Sequence, residues 1–149
     1  MRHLRLPAGQ RIPGRSQRTE PAAAARADEV YSAFARAITE YRRAQITRWR
    51  KAASEGWTDS EAARDLYSKR SVAIHDRYRV LLIADDPEIE KLATAALDSA
   101  GTLQYATDPD DLGARGDECK LAVERFVLRA RRQLELPDQG ASTATCEVV

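Results

Sequence analysis

The sequence predicts an all-α protein, an antiparallel four-helix bundle built on a long αα-hairpin with disordered termini. Three observations predict it. Of the 149 residues, 32% are charged and only 6% aromatic, a balance that suits helices with one apolar stripe and charged outer faces. Apolar residues recur at steps of three and four over long stretches, the helical period. Helix-start and helix-stop residues then divide those stretches into four segments.

The first helix is expected from about Ala22 to Ser54. Ala27, Val30, Phe34, Ile38, Tyr41 and Trp49 fall on one stripe, and Gln45 is the polar residue on that line. Gly56 supplies the left-handed position that ends it. The second helix opens on Thr58-x-x-Glu61, a capping box with Trp57 at the staple position. Its stripe reads Ala63, Tyr67, Ile74, Tyr78 and Leu81, close to a heptad. So short a turn between two long helices makes a hairpin.

A third, shorter helix starts at Asp86-Pro87-Glu88, read as N-cap, N1 proline and first-turn acid. It carries Ile89, Leu92, Ala93, Ala96 and Leu97 and ends at Gly101. A loop rich in Asp and Gly should follow. The fourth helix is expected near Asp117, with Cys119, Ala122, Val123, Phe126, Ala130 and Leu134 on its apolar face, and Pro137 stopping it. The bundle therefore covers residues 22–136. Residues 1–21 and 138–149 are rich in Pro, Gly and small polar residues, with too little apolar surface to offset the entropy of ordering.

Net charge is +1, unevenly spread. Residues 1–21 hold five Arg against one Glu. From Val30 to Ala53 six basic residues face Glu40, and from Asp85 to Glu118 ten acids face Lys91 and Arg115. Such segregation either neutralises itself within the bundle or drives self-association of opposite patches. Only Cys119 and Cys146 are present, too few for a disulfide framework, so a cytoplasmic setting is expected. No run approaches the ~18 apolar residues of a transmembrane segment.

Chemistry-bearing motifs are sparse. Two His and two Cys are too scattered for a metal ligand set, no phosphate-binding glycine loop is present, and no cofactor is expected. Arg79-Val-Leu-Leu-Ile-Ala-Asp-Asp-Pro87 resembles the first strand and acidic pair of a response-regulator receiver domain. That chemistry needs a third aspartate on another buried strand, and after Ala100 the only apolar run is the helical one of the last helix. The run therefore reads as the end of the second helix.

Arg70-Ser-Val-Ala-Ile-His75 resembles the R-x4-6-H pattern of the all-helical HEPN ribonucleases, in which Arg and His of two protomers meet to cleave RNA. Beside that stands the structural reading, in which His75 flanks the second-helix stripe. Arg36, Arg43 and Arg50 fall seven apart, and Arg125, Arg129 and Arg132 follow at helical steps, a basic face that could track a phosphate backbone or simply be solvated and paired with acids.

Tyr41-Arg-Arg, Trp49-Arg, Tyr78-Arg-Val-Leu-Leu and Phe126-Val-Leu-Arg-Ala-Arg resemble a group of small uncharacterised actinobacterial helical proteins. Many of those carry an N-terminal membrane helix, where this chain has a basic Pro/Gly-rich segment. The resemblance implies a helical fold style and no activity. Two functions follow as expectations: a non-enzymatic helical scaffold that forms a homodimer or binds a protein partner, and, as the alternative, a nucleic-acid-binding protein.

Overall fold

The computed structural model describes residues 15–56 and 60–135, with the backbone alone for 15–20 and 60. Four helices, α1 (Arg15–Glu55), α2 (Ser60–Ile83), α3 (Pro87–Gly101) and α4 (Pro109–Glu135), form a bundle, and a 3₁₀ turn over Thr102–Tyr105 links the last two. No strand occurs among the described residues. Packing partners fix the directions. Tyr31, Arg42 and Trp49 of α1 bond to Gln133, Gly116 and Ala106 respectively, so α4 runs antiparallel to α1. Arg77 of α2 bonds Thr94 of α3 across the hairpin they form. Among the described residues the backbones of α2 and α4 do not approach each other; α1 and α3 are the neighbours of both.

Helix α1 begins at Arg15, ahead of the expected Ala22, and carries Pro21 inside it. Proline has no N–H to donate to the carbonyl four residues back. With 41 residues the helix is about 60 Å long, and its side chains are exposed from Pro21 to Arg26, before Val30 enters the core. The expected stripe is buried: Val30, Phe34, Ile38 and Tyr41, with Trp49 half-buried at the far end. Gly56 ends the helix with φ of +84°, and its N–H bonds to the Ala52 carbonyl at 3.1 Å, the single-bond left-handed cap. The Trp57 and Thr58 start signals of α2, both chain ends and Cys146 lie outside the described residues.

Two elements differ from expectation. On α2 the buried line is Leu66, Ala73 and Val80, one residue back from the Tyr67, Ile74, Leu81 line that the sequence favours. Small side chains explain the choice. Ala73 is fully buried, and Ala37 and Ala44 of α1 lie on the same line as Glu40, which reaches Lys69 of α2 at 3.6 Å. Alanines on both sides let the two helices approach closely, and the bulky aromatics stay outside.

The second difference is α4, which starts at Pro109 rather than near Asp117, so most of the expected loop is the 3₁₀ turn and the first two turns of this helix. Asp108 is the cap: its Oδ1 accepts the Asp111 N–H at 2.7 Å, while Asp111 Oδ2 accepts the Thr107 N–H at 3.0 Å. Gly113 and Gly116 make the stretch read as loop. Gly116 is instead a packing device, because a Cβ there would sit 3.2 Å from the Arg42 guanidinium, whose Nε donates to the Gly116 carbonyl at 2.8 Å.

The core is closed by aromatic contacts between α1 and α4. Phe34 and Phe126 meet edge to face at 4.9 Å between ring centroids, and Tyr31 meets Phe126 at 5.9 Å. Ile38, Val80, Ile89, Leu103 and Cys119 are the other large side chains that are fully buried.

Candidate interaction surface

Polar side chains in the interior are tied to structure. Gln45 is buried, and its Nε2 donates to the Tyr41 hydroxyl at 3.2 Å and to the Ala100 carbonyl at 3.2 Å. It thus satisfies the end of α3, where carbonyls lack helical partners. Trp49 Nε1 donates to the Ala106 carbonyl at 2.9 Å, pinning the 3₁₀ turn. Among the described residues every buried side-chain nitrogen or oxygen has a partner, and no cluster of His, Cys, Asp or Glu could hold a metal ion. The Cys119 thiol is pushed up in pKa chiefly by burial, which makes it a core side chain and a poor nucleophile.

The helix ends are held by ionised carboxylates. Asp86 caps α3 by accepting the Glu88 N–H at 3.0 Å, and its other oxygen accepts Arg129 Nε of α4 at 2.6 Å. The Arg129 bond first, and the Glu88 N–H second, hold this carboxyl below its usual range. Asp111 is likewise held down, by the Thr107 N–H and then by Arg115.

The residues singled out by sequence are all on the surface or in such pairs. Arg70 and His75 are exposed on α2, and five residues of helix turn them about 140° apart. Within one chain they do not converge. His75 Nδ1 lies 3.6 Å from Asp76 Oδ1, beside an Arg79–Asp76 pair at 3.7 Å. Arg36, Arg43 and Arg50 are exposed along α1, with Arg36 bonded to Glu40 at 3.3 Å. Of the α4 set, Arg125 and Arg132 are exposed, whereas Arg129 is engaged with Asp86.

What the molecule leaves open is apolar. Tyr67, Tyr78 and Leu82 of α2 are 62%, 54% and 84% exposed, and Ile74 and Leu81 lie half-buried beside them. They form a second stripe on a helix whose first stripe is already inside the bundle. Tyr105 of the 3₁₀ turn extends the patch, and with Tyr67 it lines a shallow cleft over Trp49 and Gln104. Arg77 steadies Tyr78: its guanidinium carbon is 6.0 Å from the ring centroid while Nε donates to Thr94 Oγ1 at 3.1 Å. The flanks are basic, with Arg64, Arg70 and His75 exposed. The acids of α2 point elsewhere. Glu61 and Asp65 border the cleft against α1, and Asp76 is buried.

Among the described residues no helix is long and apolar enough to cross a membrane. A search of curated proteins and of solved structures returns no match. The sequence from Asp28 to Leu134, which takes in the packed part of α1 and nearly all of the other helices, matches the family described as KilB plasmid transfer protein. The chain therefore belongs to the KilB plasmid transfer protein family.

Proposed function

We propose that this protein serves plasmid transfer as a non-enzymatic helical module that docks a protein partner, a second copy included, through the exposed stripe of α2. The family supplies the process. The observation that carries the docking surface is that α2 has two apolar stripes and the bundle covers one: Tyr67, Tyr78 and Leu82 stay outside while Leu66, Ala73 and Val80 are buried. A contiguous apolar patch rimmed by polar residues is the mark of a contact surface, and tyrosines with arginine neighbours are the side chains that anchor such contacts.

The test is plasmid transfer from donors carrying Tyr78→Glu or Leu82→Glu at equal protein level. Transfer should fall by at least tenfold, since a carboxylate buried in an apolar contact is strongly unfavourable. Undiminished transfer with both variants would remove α2 as the working surface.

The exposure of Arg43 and Arg50, about 10 Å apart on one side of α1, supports a second reading, nucleic-acid binding. Its signature is salt. Affinity for a DNA duplex should fall steeply as salt rises, and Arg43→Glu with Arg50→Glu should flatten that dependence. Cleavage of RNA by Arg70 and His75 would need two copies to bring the pair together, and His75→Ala would then abolish it.

A further inference from the structure

Helix α4 carries a short apolar line on the side away from its packed face. Leu121 and Leu128, one heptad apart, are 49% and 58% exposed. The charges beside that line change sign half-way along it. Asp117, Glu118 and Glu124 precede the midpoint, Arg125, Arg131 and Arg132 follow it, and all six are exposed. About that midpoint the outer face mirrors itself with the signs exchanged. Leu121 answers Leu128, Glu124 answers Arg125, and Asp117-Glu118 answers Arg131-Arg132. Lys120 and Arg129 also answer each other, but each sits one helical step, about 100°, off the leucine line.

We propose that α4 pairs antiparallel with α4 of a second copy, about a two-fold axis at this midpoint. On the seam the axis sets Leu121 against Leu128 of the second copy. On one flank it sets Asp117 across from Arg131, on the other Glu118 across from Arg132, and each pairing occurs twice. Only Glu124 and Arg125, nearest the axis, face their own kind, at the exposed rim where salt screens them.

Other pairings match less. A parallel α4 pair stacks acid on acid and arginine on arginine. The α2 stripe is flanked by Arg64, Arg70 and His75, so α2 on α4 suits the acidic half and opposes the basic half. Two α2 stripes set arginines together. Antiparallel α4 on α4 satisfies both halves, and a self-complementary patch is what a two-fold contact requires. The charges are also at hand. Asp117, Glu118 and Arg132 pair with no described residue of their own chain, and Arg131 has an exposed bond to Glu135 at 2.8 Å, a contact of small worth. This contact goes beyond the reading of α2 and does not rest on it. It leaves both α2 stripes uncovered for a different protein.

Two charge-reversed forms of the full chain test it by light scattering after size exclusion at low salt. One carries Asp117→Arg with Glu118→Arg, the other Arg131→Glu with Arg132→Glu. The unaltered chain should reach twice the monomer mass as concentration rises. Each reversed form should need at least tenfold more protein to do so, because its rims carry mostly one sign. Their equimolar mixture should dimerise as the unaltered chain does, and so should a chain with all four changes, since both restore each pairing with its signs exchanged. Should a reversed form lose its helical signal, Leu121→Lys replaces it and should be monomeric.

A chain monomeric at every concentration would overturn the proposal. So would a mixture no heavier than its two components, or a Leu121→Lys chain that dimerises like the unaltered one. Tyr78→Glu should keep the dimer; if it alone abolished it, the self-contact would lie on α2 and the proposal would fall. Plasmid transfer lost in Tyr78→Glu with the dimer intact separates the two surfaces.

Discussion

Helices α1 and α2 form one hairpin yet treat their apolar residues differently. Helix α1 has one long stripe, and the molecule buries nearly all of it, from Val30 through Phe34 and Ile38 to Tyr41. Helix α2 has two stripes side by side, and the bundle takes the one with the smaller side chains. The difference teaches that apolar periodicity marks a surface needing cover but not what covers it. Close helix approach favours Leu66, Ala73 and Val80, and leaves two tyrosines and Leu82 for something outside the molecule.

The sharpest way to probe the covered side is at Phe126, which is fully buried and joins Tyr31 and Phe34. Phe126→Ala removes both ring contacts and leaves a cavity, and it should destabilise the fold by about 3–5 kcal/mol. Denaturant unfolding followed by circular dichroism measures it. Gln45 comes next. Gln45→Leu keeps the volume but removes the Nε2 donor to the Ala100 carbonyl and the Tyr41 hydroxyl, leaving that carbonyl the Thr102 N–H alone, at a cost of about 1 kcal/mol. A neutral outcome in the same assay would mean that the end of α3 finds another partner.

Much of this is legible in the sequence because the local signals are chemically specific. Asp86-Pro87 caps α3 as read, Gly56 takes the positive φ, and the α1 stripe faces inward. Asp108-Pro109 repeats the Asp86-Pro87 grammar and starts α4 in the same way. It is obscured by Gly113 and Gly116, whose low helix propensity is overridden by tertiary packing, since Gly116 makes room for Arg42. The α2 stripe reads one residue off for a different reason. Periodicity scores hydrophobicity and not size, whereas the hairpin seam selects for alanine. Of the singled-out arginines, Arg129 holds a helix cap, a partnership that depends on two elements 43 residues apart and leaves no local trace.

Asp86 gives an effect of similar size with a pH signature. Its carboxyl is held below the usual range in the folded chain, so ionised Asp86 stabilises the fold at all pH values above its ordinary pKa of 3.8. That contribution is lost as pH falls through the depressed folded value. Asp86→Ala should cost about 1 kcal/mol at neutral pH, the worth of an N-cap, with the partly exposed Arg129 pair adding little. Asp86→Asn keeps a capping oxygen and should lie between the two. In both variants stability should fall less steeply with acid than in the unaltered chain. An unchanged acid limb would move the titration to other carboxylates, Asp111 first among them.

The smallest expected effect bears most directly on the contrast between the helices. Tyr67 and Tyr78 are large and aromatic, yet most of each side chain is in water in the single chain. Exposed positions away from caps and networks shift stability by less than about 0.5 kcal/mol. Tyr67→Ser with Tyr78→Ser should therefore unfold at nearly the same denaturant concentration as the unaltered chain at high dilution, where copies are apart. At high protein concentration the two should still agree, because the α4 contact stabilises both alike by mass action. If the double variant were destabilised equally at both concentrations, the second stripe would belong to the bundle after all, and α2 would be buried as α1 is.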